Sequence, residues 1–269
     1  MPNSDVNNAQ HLIVVGGTSG IGLALALAHQ QLGWQVSVVG HSARKIERIE
    51  RDYPTIQTYG CDLTDIDQRQ QLLSDLETVD FDRLIYSAGS YLNERVIELD
   101  KADSDRMLAV NLQAFQEVFS WASQQLKDQS LTNQNAKSLT NHSIMPKLSL
   151  ICIASIAGTL DYPYASLYAK SKKAMIATAS AYRLALAPYN IQVTCIASGY
   201  VDTQALRDLN EGDASHKPFI MTTQKAVAHI MQAIDEDVEL AIFPRPMRYL
   251  TRLLNQLPKP LLHRLLKGK

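Results

Sequence analysis

A short apolar run, His11–Val15, breaks directly into Gly16-Gly17-Thr18-Ser19-Gly20-Ile21-Gly22, and a helix former then runs from Leu23 to Leu32 and stops at Gly33. Few folds accept glycines so placed. They suit a chain that leaves a strand, turns tightly and opens a helix with its backbone close to another group. The first amides of such a helix have no partner in their own ladder, and the helix dipole favours an anion there. The glycines alone describe a tight turn. With a strand before and a helix after, Gly16, Thr18, Ser19, Gly20, Ile21 and Gly22 become candidates for holding a dinucleotide. The second strand, Gln35–Val39, completes a strand–turn–helix–strand unit.

The alternation continues. Strands are expected near 55–60, 82–87, 148–154, 190–197 and 239–243, with helices at 43–51, 65–77, 104–127 and 165–187. The strand at 148–154 is mainly apolar, as burial on both faces requires. The expected fold class is therefore α/β, a doubly wound parallel sheet of the Rossmann type. One catalytic domain is expected over 1–244, with 245–269 as a helical extension that Pro258 and Pro260 divide in two. The polar stretch 128–146 reads as a surface loop.

Charge and cysteine usage exclude several functions. A net charge of −1 gives no field for nucleic acid. Cys61, Cys152 and Cys195 lie far apart without CxxC spacing, so buried thiols are expected rather than disulfides or a metal site. Residues 1–10 lack a signal-peptide pattern, and no apolar run reaches the roughly 18 residues of a membrane span. A cytoplasmic protein is expected. The extension is the exception, with seven Lys or Arg and no Asp or Glu in 245–269, and with leucines at helical spacing. Two readings stay open for it: an amphipathic cover on the domain or a partner subunit, which is preferred, or a segment that lies on an anionic membrane.

The chemistry is carried by Tyr168-Ala169-Lys170-Ser171-Lys172 within a predicted helix. Residues four apart share a helical face, so Tyr168 and Lys172 can meet. A phenol ionises too high for proton transfer near neutrality, and a fixed ammonium beside it would lower its pKa. Ser155 follows the strand at 148–154 and would sit at the carboxyl edge of the sheet, where such folds bind ligands. Its hydroxyl could donate to an oxygen that gains negative charge. Asn111 stands inside a long apolar helix, where an amide is a poor choice and asks for a reason. It is either a satisfied buried amide that kinks the helix or part of the site.

Asn111, Ser155, Tyr168 and Lys172, taken with the Gly-x-x-x-Gly-x-Gly turn, resemble the short-chain dehydrogenase/reductase family over about residues 10–245. The resemblance implies an oxidoreductase that moves a hydride between a nicotinamide cofactor and a small alcohol or carbonyl compound. It implies that Tyr168 exchanges the proton, Ser155 polarises the substrate oxygen, Lys172 tunes Tyr168 and holds the nicotinamide ribose, and Asn111 anchors a water. It also implies cofactor contacts at Asp62 and Leu63 (adenine), at Ala88 and Gly89, and at Gly199, Val201 and Thr203 beside the nicotinamide and diphosphate. Asp62 and Thr64 could equally cap the next helix. The chain departs from the family pattern at Val15, Tyr86, Ser87 and Ser198.

After the second strand the sequence reads Gly40-His41-Ser42-Ala43-Arg44-Lys45, with no acid to receive a ribose 2′-hydroxyl. His41, Ser42, Arg44 and Lys45 could donate to a 2′-phosphate, so NADP(H) is preferred and NAD(H) remains admissible. Residues 202–221 should cover the substrate, and Leu206, Leu209, Phe219, Ile220 and Met221 either line an apolar cleft or simply pack. A neutral, partly apolar carbonyl substrate is expected. By the resemblance, a homodimer or homotetramer would form through the helices at 104–127 and 165–187. The competing functional class is a cofactor-binding sensor or scaffold without chemistry. The intact Ser155, Tyr168 and Lys172 argue against it.

Overall fold

The computed structural model describes residues 9–91, 100–137, 147–160 and 165–267. Its first half runs β1 (His11–Val15), α1 (Gly20–Gln31), β2 (Gln35–Gly40), α2 (Ala43–Asp52), β3 (Gln57–Gly60), α3 (Ile66–Leu76) and β4 (Arg83–Tyr86). Then come α4 (Lys101–Leu108), a π-helical segment (Ala109–Ala114), α5 (Phe115–Lys137), β5 (Ser149–Ile153), α6 (Leu167–Leu186) and β6 (Gln192–Ser198). The chain continues through β7 (Val201–Asp202), α7 (Gln204–Asp208), β8 (Met221–Thr222), α8 (Thr223–Asp235) and β9 (Leu240–Phe243), and ends in α9 (Arg245–Asn255) and α10 (Lys259–Lys267).

Seven strands form one parallel sheet in the order β3-β2-β1-β4-β5-β6-β9. This is the doubly wound α/β architecture expected. Alternate residues of β1 feed opposite cores. Ile13 and Val15 pack with Phe115, Phe119 and Met175, whereas Leu12 and Val14 pack with Leu25, Ile196 and Ile230. Both faces are covered by helices, which is why the inner strands carry almost no polar positions. The order reverses between β1 and β4, and the crevice outside their carboxyl ends is where such a sheet takes a ligand.

Two local expectations are corrected. Residues 128–137 continue α5 rather than form a loop; 138–146 lie outside the described residues. Leu126 is buried, and the buried Ser130 donates its hydroxyl to Tyr189 O at 2.7 Å. A polar helix with one narrow packed edge gives little periodicity to read. The helix cap after β3 is Asp65, whose carboxylate accepts from Gln68 N, and neither Asp62 nor Thr64 takes that role.

The predicted long helix around Asn111 is broken by the π segment. A π turn inserts a residue and leaves carbonyls without their usual partner. Tyr86, at a position where the family pattern has Asn, supplies one: its phenol donates to Val110 O at 2.6 Å. Among the described residues, no helix is long and apolar enough to cross a membrane, and no cluster of potential metal ligands occurs.

Candidate active site

The glycine turn binds itself to the sheet. Gly16 N and Gly17 N both donate to Val39 O, and Ser87 N donates to Val15 O. Gly16 has φ +82°, and a Cβ on it would lie 2.5 Å from Ala88 N. A Cβ on Gly22 would lie 2.2 Å from Gly16 O, so the first turn of α1 rests directly on the loop. Ser19 precedes α1 without capping it through its side chain. The leading amides of the helix are therefore left to face the crevice. Thr203, which caps α7, comes opposite: a Cβ on Gly20 would be 3.6 Å from Thr203 Cγ2.

The carboxyl ends of β2 and β3 continue this edge. Thr18 fills the space above Gly40. Lys45 Nζ donates to Ser19 Oγ at 3.3 Å, which draws one cation onto the glycine loop. Arg44 and His41 are exposed, and Ser42 precedes α2 with its hydroxyl not committed to a cap. Asp62 accepts from Thr64 N and Thr64 Oγ1, bonds that hold its carboxyl below the usual range, and His41 is one of the charges near it. Leu63 is buried beside it.

The reactive groups gather at the ends of β4 and β5. Ser155 takes an extended conformation after β5, and its Oγ accepts from Ala157 N at 3.2 Å. Its hydroxyl also hydrogen-bonds the Tyr168 phenol. Lys172 comes up from the same face of α6, with Nζ 5.9 Å from the centre of the Tyr168 ring. A Cβ on Gly89 would be 3.2 Å from Lys172 Nζ and 3.6 Å from Asn111 Oδ1, so the loop after β4 closes over both. Asn111, fully buried, donates to Ser90 O and Ser171 Oγ and accepts from Ser90 N. It is therefore a satisfied buried amide, and it lies beside the same glycine as the lysine. Its Oδ1 keeps a second lone pair.

The electrostatics differ from expectation at one point. Lys172 was expected to lower the Tyr168 phenol. Instead, burial raises Tyr168 above its ordinary value, the Ser155 hydrogen bond is what lowers it, and Tyr91 and Tyr200 push it further up. Lys172 is itself brought down by burial, from 10.5 to about 8. Lys172 is 4% exposed, and its amine lies 3.3 Å from Met175 Sδ, with Cys152 and Cys195 nearby on neighbouring strands. No carboxylate pairs with it among the described residues.

Sequence reasoning missed Tyr91, Ser171 and Met175. Tyr91 stacks edge-on against Tyr168 with ring centres 4.8 Å apart. It lies in a loop, where no periodicity points to it. Of the residues expected to line the substrate cleft, Met221 is buried in β8 and belongs to the core. Leu209 and Phe219 are exposed, while Leu206 and Ile220 are half-buried. Val201 is buried and pairs with Met221, which fixes the segment after Gly199.

The family model for short chain dehydrogenase matches residues 10–214. The chain is 27% identical over 202 residues to the NADPH-dependent 1-acyldihydroxyacetone phosphate reductase of Schizosaccharomyces pombe, covering 73% of this chain but 62% of that one. It is 25% identical over 207 residues to a 3-oxoacyl-[acyl-carrier-protein] reductase of Rickettsia bellii, covering 76% and 78% of the two chains. A crystal structure of a short chain dehydrogenase from Burkholderia cenocepacia in complex with NADP superimposes with a TM-score of 0.75 at 19% identity, over 96% and 97% of the chains; it shares the fold. With the family model spanning most of its length, this chain belongs to the short-chain dehydrogenase family.

Proposed function

We propose that the protein is an NADP(H)-preferring carbonyl reductase in which Tyr168 delivers the proton to the substrate oxygen. The observation that carries this reading is the hydrogen bond between Ser155 and Tyr168, with Lys172 on the same helical face. When bound, NADP(H) supplies or accepts the hydride, and this chain's residues do the rest.

Gly16, Gly20 and Gly22, with Thr18, Ser19, Ile21 and Thr203, would receive the diphosphate. Asp62 and Leu63 would border the adenine, Ala88 and Gly89 would lie under the cofactor beside Lys172, and Gly199 and Val201 would face the carboxamide. The site fits such a ligand because the amides opening α1 are uncapped and glycine clears the approach. Ser155 would hold the substrate oxygen and donate to it as charge develops. Tyr168, protonated while its phenol is held up by burial, would give its proton to the substrate oxygen and, in the reverse direction, take it back. Lys172 would hold the ribose and return the proton. Asn111 would fix the Ser90 loop beside it and offer its free lone pair to the relay. Tyr91, edge-on to Tyr168, and Tyr200, another neighbour of that phenol, support a partly apolar carbonyl substrate.

The reading is tested by a panel of aldehydes and ketones assayed with NADPH and NADH. Turnover with NADPH favoured is expected. Tight cofactor binding without turnover on any member would return the sensor reading, which no observation favours at present. For Gly22→Ala, a methyl against Gly16 O forces the turn open, and NADPH affinity should fall about tenfold or more while the fold is kept. Calorimetric titration beside circular dichroism checks both.

Arg44→Glu with Lys45→Glu should raise KM for NADPH about tenfold or more and leave NADH nearly unchanged, since only the former carries a 2′-phosphate. An equal effect on the two cofactors would remove these residues from the preference. The absence of an acid at the end of β2 supports the same assignment, as does the NADPH-dependence in the name of the S. pombe relative. A cytoplasmic setting suits the three buried free thiols.

A further inference from the structure

No step above uses the basic extension. Its inner face is occupied. Thr251 and Leu262 are buried, and Asn255 Nδ2 donates to Thr159 O at 2.7 Å, just beyond the Ser155 turn. Met247 reaches the segment after β6, where a Cβ on Gly199 would lie 2.6 Å from its Sδ. Helix α9 thus covers the carboxyl rim of the sheet, as one reading of the sequence suggested, and α10 follows it with Leu262 buried.

Their outer face should then be polar, and it is not. Tyr249 is 59% exposed, Leu253 60% and Leu265 51%, with Leu250 and Leu261 each at 45%. Tyr249 and Leu253, like Leu261 and Leu265, are four residues apart and lie on one side of their helix. Arg245, Arg252, Lys259 and Arg264 are exposed among them. A second copy is a poor occupant, because an isologous contact would set two segments of seven Lys or Arg and no Asp or Glu against each other. Apolar side chains rimmed by cations alone are matched by an anionic bilayer surface, where tyrosine and leucine enter the headgroup boundary and arginine meets phosphate.

We propose that the outer face of α9 and α10 docks the enzyme on anionic membrane surfaces. The inference does not depend on the reaction, so failed turnover and failed docking are separate results.

Full-length protein with NADPH is sedimented with vesicles of phosphatidylcholine alone, or of phosphatidylcholine with about one third phosphatidylglycerol. Partition is expected to be about tenfold or more stronger on the anionic vesicles and to fall steeply with salt. Arg252→Glu with Arg264→Glu should weaken it about tenfold or more, and Leu253→Ser with Leu265→Ser about fivefold. These side chains are exposed and outside the site, so turnover of a water-soluble carbonyl should be unchanged in both variants. Equal partition on the two vesicle types would overturn the proposal. So would a dimer or tetramer in solution that the same substitutions dissolve, because the face would then be an interface between copies.

Discussion

Lys172→Met should make the protein more stable and nearly inactive. The amine of a lysine that is 4% exposed, brought down from 10.5 to about 8, costs the fold about 3 kcal/mol at neutral pH. Methionine has similar length and would sit among Met175, Cys152 and Cys195 without that cost. For a chain of this size the gain corresponds to roughly 5–10 °C in Tm. The pH dependence follows from the direction of the shift. Below about pH 8 the lysine is charged in both the folded and unfolded chain, and the penalty is complete. Between about 8 and 10.5 the unfolded chain holds a proton that the folded one lacks, so wild-type stability rises relative to the variant. The Tm gap should be widest below pH 8 and close above 10.5. Turnover should fall about a hundredfold or more, as expected when a proton-transfer partner is lost. Calorimetry across pH beside a steady-state assay reads both, and a Tm that drops on substitution would show the amine to be a structural partner instead.

The architecture was legible because its signals are local. Glycines must stand where backbones touch, apolar runs must fill strands buried on both faces, and four-residue spacing sets Tyr168 and Lys172 on one face. What depends on pairing across the fold was not legible. The continuation of α5 beyond residue 128 is held by Ser130 against Tyr189, a partner about sixty residues away. The π turn at Asn111 is sustained by Tyr86, whose side chain the family pattern would have made an amide. The sign of the Tyr168 shift was misread because spacing gives adjacency but not desolvation. The sequence puts an ammonium near the phenol, while burial and two neighbouring tyrosines decide where the phenol titrates. Tyr91 stacks on Tyr168 from a loop that carries no pattern at all.

Tyr168→Phe should abolish most activity and leave the rest of the molecule as it is. The substitution removes one oxygen. The ring keeps its edge contact with Tyr91 and its place on α6, so stability should change little. The cofactor residues on the glycine turn are untouched, and NADPH should bind with near wild-type affinity. What disappears is the only hydroxyl that is bonded to Ser155 and shares a helical face with Lys172 among the described residues. Loss of a positioned general acid lowers turnover by about a thousandfold. Ser155→Ala should cost less, because the phenol still meets the substrate oxygen, though with less precise alignment. The decisive measurement sets wild type and Tyr168→Phe side by side on one carbonyl substrate, following NADPH oxidation and NADPH affinity on the same preparations. The account predicts that kcat falls about a thousandfold while affinity stays within about threefold. Turnover that survives the loss of the phenol would contradict it.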